Sequence, residues 1–141
     1  MSRERNIKTV RKFIHLFEQK NFFELSELYT EDGKLIFPYH SGLFPPDGVG
    51  KKNIYEGWSN MAENFDEVKF PIEEIMPFED PNKVAVKFSG KLKFRDKPGY
   101  YENDYLFIFY FDEDGKITES YEYFNPVNAA KAFGLMGKIC D

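Results

Sequence analysis

The sequence from Tyr100 to Phe124 reads YYENDYLFIFYFDEDGKITESYEYF. Two runs rich in aromatic residues flank an acidic segment that ends at Gly115, which is the pattern of two antiparallel strands joined by a tight turn. Because side chains alternate between the two faces of a strand, Ser120, Glu122 and Phe124 are expected on one face of the second strand. The hairpin therefore places the carboxylate of Glu122 on an apolar face.

A carboxylate on an apolar face has two interpretations. It is a structural group that hydrogen-bonds to a backbone amide or pairs with a lysine across the sheet, or it is an acid/base group whose pKa is raised by burial. In the second case Glu122 could abstract a proton next to a carbonyl group near neutral pH. The sequence leaves both interpretations open.

Length and composition limit the class of protein. A chain of 141 residues fits one domain, taken here as residues 1–141, and folding at this size buries roughly 70% of the surface of the unfolded chain. The 19 basic residues are outnumbered by 24 acidic ones and are scattered, which argues against a nucleic-acid partner. The 16 phenylalanines and nine tyrosines fit a sheet that surrounds a ligand, or simply an aromatic core.

Two further features of the sequence predict its cellular setting. No run approaches the ~20 apolar residues that span a bilayer, and the N-terminal residues form a charged amphipathic pattern rather than a signal sequence. The single cysteine, Cys140, has no partner for an internal disulfide. We therefore expect a soluble protein of the reducing cytoplasm, without a membrane partner.

Hydrophobic periodicity and turn residues predict the remaining elements. Apolar positions at helical spacing predict four helices, over residues 3–19, 22–29, 51–65 and 125–134. Alternating patterns predict five strands, over residues 34–37, 68–77, 83–94, 100–111 and 116–124. Glu31-Asp32-Gly33 is predicted to form a turn. We expect an α+β fold in which a curved, mostly antiparallel sheet wraps around the N-terminal helices and forms a cone with an interior pocket, an α+β barrel.

Several elements are expected to line that pocket. Tyr101, Asn103 and Tyr105 share one face of their strand and could orient a substrate carbonyl group, although tyrosines are also good sheet formers. The loop from Pro38 to Gly50 combines breakers with apolar residues, the pattern of a lid or pocket rim. The remaining substrate-binding candidates are Tyr39, Phe44, Trp58 and Phe124.

The two histidines differ in their expected roles. His40 lies in the loop and could donate to a developing oxyanion or shuttle a proton, or it could be a loop-packing residue. His15 is expected on the surface of the first helix. Two histidines and one cysteine do not make a metal cluster, and no phosphate-binding loop is present, so we expect no metal and no cofactor.

The order of elements and several local strings resemble the nuclear-transport-factor-2-like (ketosteroid-isomerase-like) superfamily, in particular its SnoaL-like polyketide-cyclase branch and the phenazine-biosynthesis A/B proteins. The resemblance covers residues 7–134. The strings that carry it are Ile36–Pro45, Gly50–Ile54, Tyr101–Tyr105, Asp114–Ile117 and Glu122–Gly134.

The resemblance implies specific expectations. Phenazine-biosynthesis proteins of this type carry a pocket glutamate three residues before an Asn-Pro helix start, and Glu122 holds that position here. Relatives place acid/base or substrate-contacting residues near the loop that contains His40, and they commonly form homodimers through the sheet. The paired aspartates of ketosteroid isomerases are not recognisable, so steroid isomerisation is not expected.

Two functions fit these observations. The first is a small-molecule-binding protein that acts as a cofactor-free isomerase, cyclase or dehydratase on a hydrophobic or aromatic carbonyl-containing substrate. Glu122 would be its acid or base, with His40 and a tyrosine as orienting donors. The alternative is a non-catalytic ligand-binding or homodimeric scaffold domain; in the scaffold, side chains fill the cone and Glu122 is paired.

Overall fold

The computed structural model describes residues 2–139, so Cys140 lies outside the described part of the chain. The predicted helices are present there as α1 (Ser2–Glu18), α2 (Phe22–Ser26), α3 (Lys51–Ala62) and α4 (Pro126–Phe133). A short 3-10 turn, Met136–Lys138, follows α4. Across residues 2–139, the structure contains no helix that is both long and apolar enough to cross a bilayer.

The signals at the ends of α4 act as predicted. Asn125 caps the helix, because its side-chain oxygen accepts a hydrogen bond from the N–H of Val127 at 2.9 Å. Pro126 begins the first turn, where its missing N–H costs nothing. Gly134 ends the helix with a φ of 69°, which glycine adopts without strain. These local interactions determine where α4 starts and stops.

The described strands form one strongly curled sheet, which makes the fold the expected α+β cone. In chain order they are β1 (Tyr29–Ile36), β2 (Asp47–Val49), β3 (Phe65–Lys69), β4 (Ile72–Pro77), β5 (Lys83–Phe94), β6 (Tyr100–Phe111) and β7 (Ile117–Phe124). The strand order is β2-β1-β7-β6-β5-β3, and β4 also pairs with β5. The pairing of β1 with β7 is parallel and the other pairings are antiparallel.

The region after α3 differs from the prediction of one strand over residues 68–77. The chain forms two strands there, β3 and β4, which pair in succession with the edge of β5 that β6 leaves free. Pro71 separates them, because proline has no N–H to donate to the sheet. Phe65, which was expected at the end of the third helix, begins β3 instead.

The first strand is longer than predicted, and the predicted turn at Glu31-Asp32-Gly33 is wrong. β1 runs through these residues, and its register against β7 shifts between Tyr29 and Lys34. This shift in register accommodates the turn-forming residues within the strand, so the strand does not end there. A β carbon at Gly33 would lie 2.9 Å from Cβ of Tyr29, so this position requires glycine. The sequence prediction also missed β2, which lies within the loop after β1.

The core lies on the concave side of the sheet. In β6 alternate residues are buried, which confirms the predicted alternation. Helix α1 packs against this face, and the ring of Phe13 meets the ring of Phe109 edge-on with 4.9 Å between centroids. Phe13 also packs edge-on against Trp58 of α3 at 5.4 Å. Aromatic contacts of this kind fill the part of the cone that α1 covers.

Candidate functional site

A cavity of about 710 Å³ lies between the concave face of the sheet, α3 and the segment that follows β7. Its wall is mostly apolar, as is typical of sites for small organic molecules. The sheet side consists of Leu35, Tyr101, Tyr105, Glu122 and Phe124. Across from it, the principal lining residues are Phe37, Phe44, Pro45, Ile54, Trp58, Met61, Ala129, Phe133 and Leu135.

Helix α3 forms its wall with one stripe of residues. Ile54, Trp58 and Ala62 recur every four residues and are buried. Gly57 and Met61 precede two of them by one position and border the cavity beside them. The indole of Trp58 therefore contacts the α1 core while also lining the cavity.

Glu122 lies on the sheet wall of this cavity. It pairs with Phe107 of β6 and stands between Ser120 and Phe124 on the concave face. Glu122 is partly exposed, and it is among the side chains that line the cavity. The hydroxyl of Ser120 is engaged by Tyr29, with 2.6 Å between the two oxygens. Among residues 2–139 the Glu122 carboxylate forms no hydrogen bond or ion pair, so the alternative of a lysine partner across the sheet is wrong.

Burial is the physical cause of the electrostatics of this wall. Loss of solvent around the carboxyl raises the pKa of Glu122 to about 8, because the charged form is poorly solvated in an apolar cavity. Burial likewise raises the pKa values of Tyr101 and Tyr105 above the ordinary value for tyrosine. Both hydroxyls therefore stay protonated at neutral pH and are able to donate hydrogen bonds.

The side chain of Asn103 has a structural role and does not line the cavity, contrary to its predicted contact with substrate. Its oxygen accepts hydrogen bonds from the N–H groups of Asp104 at 2.9 Å and Asn125 at 3.1 Å. Its amide nitrogen donates to the Asn125 carbonyl at 3.0 Å and to Oη of Tyr101 at 2.7 Å. All four bonding positions of the amide are thus used, and none remains for a ligand.

The same network orients Tyr101. Since the two backbone N–H groups fix which end of Asn103 is oxygen, the other end must be the donor to Tyr101. Oη of Tyr101 already accepts this bond, so its own hydrogen is free to point elsewhere. Tyr105 is a close neighbour on the same wall. The hydroxyls of Tyr101 and Tyr105 also interact with each other, so the wall carries a carboxyl group and a linked pair of phenolic hydroxyls.

The structure does not bring His40 and Tyr39 to the cavity. The loop reverses its direction at Ser41-Gly42, where both residues have positive φ. Nδ1 of His40 accepts a hydrogen bond from the N–H of Gly42 at 3.0 Å, so the imidazole stabilises its own turn. Tyr39 is 53% exposed and packs edge-on against Tyr123 on the outer face of the sheet. Neither residue is placed where the predicted catalytic or binding role requires it.

Other parts of the loop and of the C-terminal segment do reach the cavity. Phe44 stacks on Phe124 with 5.5 Å between ring centroids, which joins the loop to the sheet wall. Phe133 packs against Tyr101 at 5.3 Å, and Leu135 lines the cavity beyond it. The sequence analysis missed Phe133 and Leu135. The feature of the sequence that could have identified them is the predicted helix end at Gly134, because Phe133 and Leu135 are the apolar residues directly before and after it.

Fold and site together define a small α+β protein with an apolar interior cavity and one carboxyl group on the sheet wall. The SnoaL-like domain family matches residues 10–120, and the chain belongs to this family. The uncharacterised protein YesE of Bacillus subtilis (strain 168) is 25% identical over 131 residues, which are 93% of this chain and 88% of YesE.

Solved structures show the same likeness. The crystal structure of a candidate isomerase from Bacillus subtilis superimposes with a TM-score of 0.86, at 24% identity and over 96% of each chain. A phenazine biosynthesis-related protein from Pseudomonas aeruginosa gives a TM-score of 0.82 at 28% identity, over 95% of this chain and 83% of that chain. These findings confirm the fold and the family that the sequence resemblance predicted.

Proposed function

We propose that this protein binds a hydrophobic or aromatic carbonyl-containing small molecule in the cavity and acts on it by cofactor-free acid/base chemistry. The observation that carries the proposal is Glu122, whose carboxyl group lines an apolar cavity without a bonding partner among residues 2–139. With a pKa of about 8, both of its protonation states are accessible near neutral pH. The expected reaction is an isomerisation, cyclisation or dehydration.

The first step of such a reaction is a proton transfer. A C–H bond next to the substrate carbonyl breaks, its proton passes to the Glu122 carboxylate, and the electron pair moves to the carbonyl oxygen. The hydroxyls of Tyr101 and Tyr105 are the donors that would stabilise this enolate. Return of the proton to another carbon completes an isomerisation, and its transfer to a leaving hydroxyl completes a dehydration. His40 has no part in this proposal because it lies away from the cavity lining.

Proton exchange on a simple ketone tests the proposal. 2-Tetralone is a neutral bicyclic ketone with acidic protons at C1, and their replacement by deuterium is followed by proton NMR in D₂O. We expect the protein to accelerate this exchange over buffer and Glu122→Gln to return it to the buffer rate. Glu119→Gln is the matched control, because Glu119 lies on the same strand but does not line the cavity.

The outcomes separate the two candidate functions. Exchange at the buffer rate with the native protein, or equal rates for the native protein and Glu122→Gln, would remove the acid/base role. Binding of 2-tetralone without exchange would favour the non-catalytic ligand-binding alternative. The filled-cone scaffold has less support, because it requires a small cavity and a paired Glu122.

We also propose that two copies of the chain pair through the outer face of the sheet. Tyrosines that are exposed or partly exposed on this face support the proposal: Tyr39 packs on Tyr123 at 5.4 Å and Tyr110 on Tyr121 at 5.7 Å. Aromatic residues of this type are enriched at protein interfaces. Light scattering after gel filtration should give the mass of a dimer, and Tyr123→Arg should give that of a monomer. A monomeric native protein would refute the pairing.

A further inference from the structure

We propose that the cavity selects uncharged ligands and rejects carboxylates, so that the substrate is a neutral carbonyl compound such as a ketone, ester or quinone and not a carboxylic acid. The inference rests on the proposed function for its site and narrows the class of ligand. Its basis is the charge of the wall: among the described residues that line the cavity there is no lysine, arginine or histidine.

A carboxylate ligand would lose its hydration without compensation in such a cavity. An ion that leaves water for apolar surroundings is stable only where an opposite charge or several donors replace the water. The acidic side chains of the lining are Glu122 on the sheet, which is mostly protonated at neutral pH, and the exposed Asp47 at the edge. An anionic ligand would therefore meet no compensating cation, and its charge would oppose the ionisation of Glu122.

Two lysines in segments next to the lining, Lys51 and Lys97, are engaged elsewhere. Lys51 begins α3, but its Nζ pairs with the carboxylates of Glu27 at 2.9 Å and Glu31 at 3.6 Å. Nζ of Lys97 donates to the carbonyl oxygen of Ala132 at 2.9 Å and lies over the ring of Phe94. Each amino group is engaged by groups that are not part of the lining.

The donors that the wall does offer match a neutral oxygen. Tyr101 and Tyr105 each carry an O–H, and Trp58 and Asn53, which also line the cavity, carry N–H donors; all of these donors are uncharged. A carbonyl oxygen accepts one or two such hydrogen bonds, whereas a carboxylate carries a full charge that uncharged donors do not neutralise. The polar groups of the wall and its lack of positive charge therefore both favour a neutral ligand.

Two aromatic probes of nearly the same shape test this selection. 2-Naphthamide is neutral, whereas 2-naphthoate carries a full negative charge at pH 7.5. Trp58 is the only tryptophan of the chain and lines the cavity, so fluorine NMR of protein labelled with 5-fluorotryptophan reports occupancy through one signal. We expect the Kd of 2-naphthoate to be at least about tenfold higher than that of 2-naphthamide. Equal or tighter binding of the carboxylate would overturn the proposal.

A gain-of-function pair tests the physical cause. Met61 lines the cavity and is partly buried. Met61→Lys introduces a cation there, and Met61→Gln is its uncharged control. We expect Met61→Lys to bind 2-naphthoate at least about tenfold more tightly than Met61→Gln does. No gain by the lysine variant, with 2-naphthamide still bound, would contradict the role assigned to charge.

The experiments distinguish failure of this inference from failure of the proposed function. If 2-naphthamide is preferred but Glu122→Gln still exchanges 2-tetralone protons at the native rate, only the acid/base role is lost. If 2-naphthoate binds as well as 2-naphthamide while Glu122 remains necessary for exchange, only the charge selection is lost. If no probe binds, the ligand pocket and the charge selection are both wrong.

Discussion

Asn103, at the junction of β6 with the start of α4, and Glu122, on the cavity wall, lie on adjacent strands and on the same side of the sheet. They differ in whether the polar side chain has hydrogen-bond partners. Asn103 is 4% exposed and all four bonding positions of its amide are used. Glu122 has no bonding partner among residues 2–139. A carboxyl group that faces an apolar cavity without a partner has a strongly shifted pKa, and such groups are common at functional sites. Hydrogen-bond satisfaction thus separates a structural polar residue from a candidate functional one.

The largest expected effect is the loss of the Asn103 network. Asn103→Ala removes four hydrogen bonds and leaves the N–H of Asn125 without its partner, whereas the Asn125 carbonyl still accepts from the N–H of Ala129 at 3.3 Å. Because unsatisfied buried groups cost about 1–3 kcal/mol each, we expect the free energy of unfolding to fall by about 3 kcal/mol. Urea denaturation monitored by circular dichroism measures the change. A loss below about 0.5 kcal/mol would mean that this junction does not depend on the network.

A smaller effect, which depends on pH, is expected when Glu122 is replaced. The folded protein keeps the Glu122 proton up to a pKa of about 8, whereas the unfolded chain loses it near 4.5. The native state therefore binds more protons between these values, and its stability falls as pH rises through this window. Glu122→Gln lacks the titration, so relative to this variant the native protein should lose about 2 kcal/mol between pH 6 and pH 8.

Denaturation of both proteins across this pH range tests the difference. All other side chains are the same in the two proteins, so the comparison isolates the contribution of Glu122. Parallel stability curves for native protein and Glu122→Gln would show that Glu122 is solvated or paired, and would remove its contrast with Asn103. A lower stability of Glu122→Gln at pH 8 would have the same meaning.

The smallest expected effect concerns His40. Its side chain accepts one hydrogen bond from the N–H of Gly42 in a partly exposed loop, so His40→Ala should cost at most about 1 kcal/mol of stability. The rate of 2-tetralone proton exchange should change less than twofold. A tenfold loss of exchange would show that the loop closes on the ligand and delivers His40 to the cavity. That result would restore the role that the sequence analysis assigned to this residue.

The regions that the sequence predicted well have strong local signals. Strands β5 and β6 were correctly bounded because long alternating runs end at turn residues, and α4 because Asn125, Pro126 and Gly134 mark its ends. The prediction failed where local signals conflicted with pairing. Glu31-Asp32-Gly33 has the composition of a turn, yet it continues as a strand because β7 supplies a partner edge. Pro71 divides one apolar run into two strands that share β5.

The candidate site likewise has features that the sequence predicted and features that it did not. The side of the sheet on which Glu122 lies follows from the alternation along β7, and this was predicted. The sequence did not predict that Asn103 would form two hydrogen bonds with Asn125, because the two residues are 22 positions apart. It also placed Tyr39 and His40 in the site, because composition identifies a loop near a pocket but not the direction of its side chains.

The sequence by itself determined the alternation of the long strands, the ends of α4 and the face that carries Glu122, because these properties depend on residues close together in the chain. Only the tertiary structure decided that this carboxyl group would line a cavity of about 710 Å³ without a bonding partner among residues 2–139, while Asn103 is satisfied and His40 lies outside the lining. The physical reason is that burial, and with it the pKa of about 8 at Glu122, depends on which distant segments pack around a side chain.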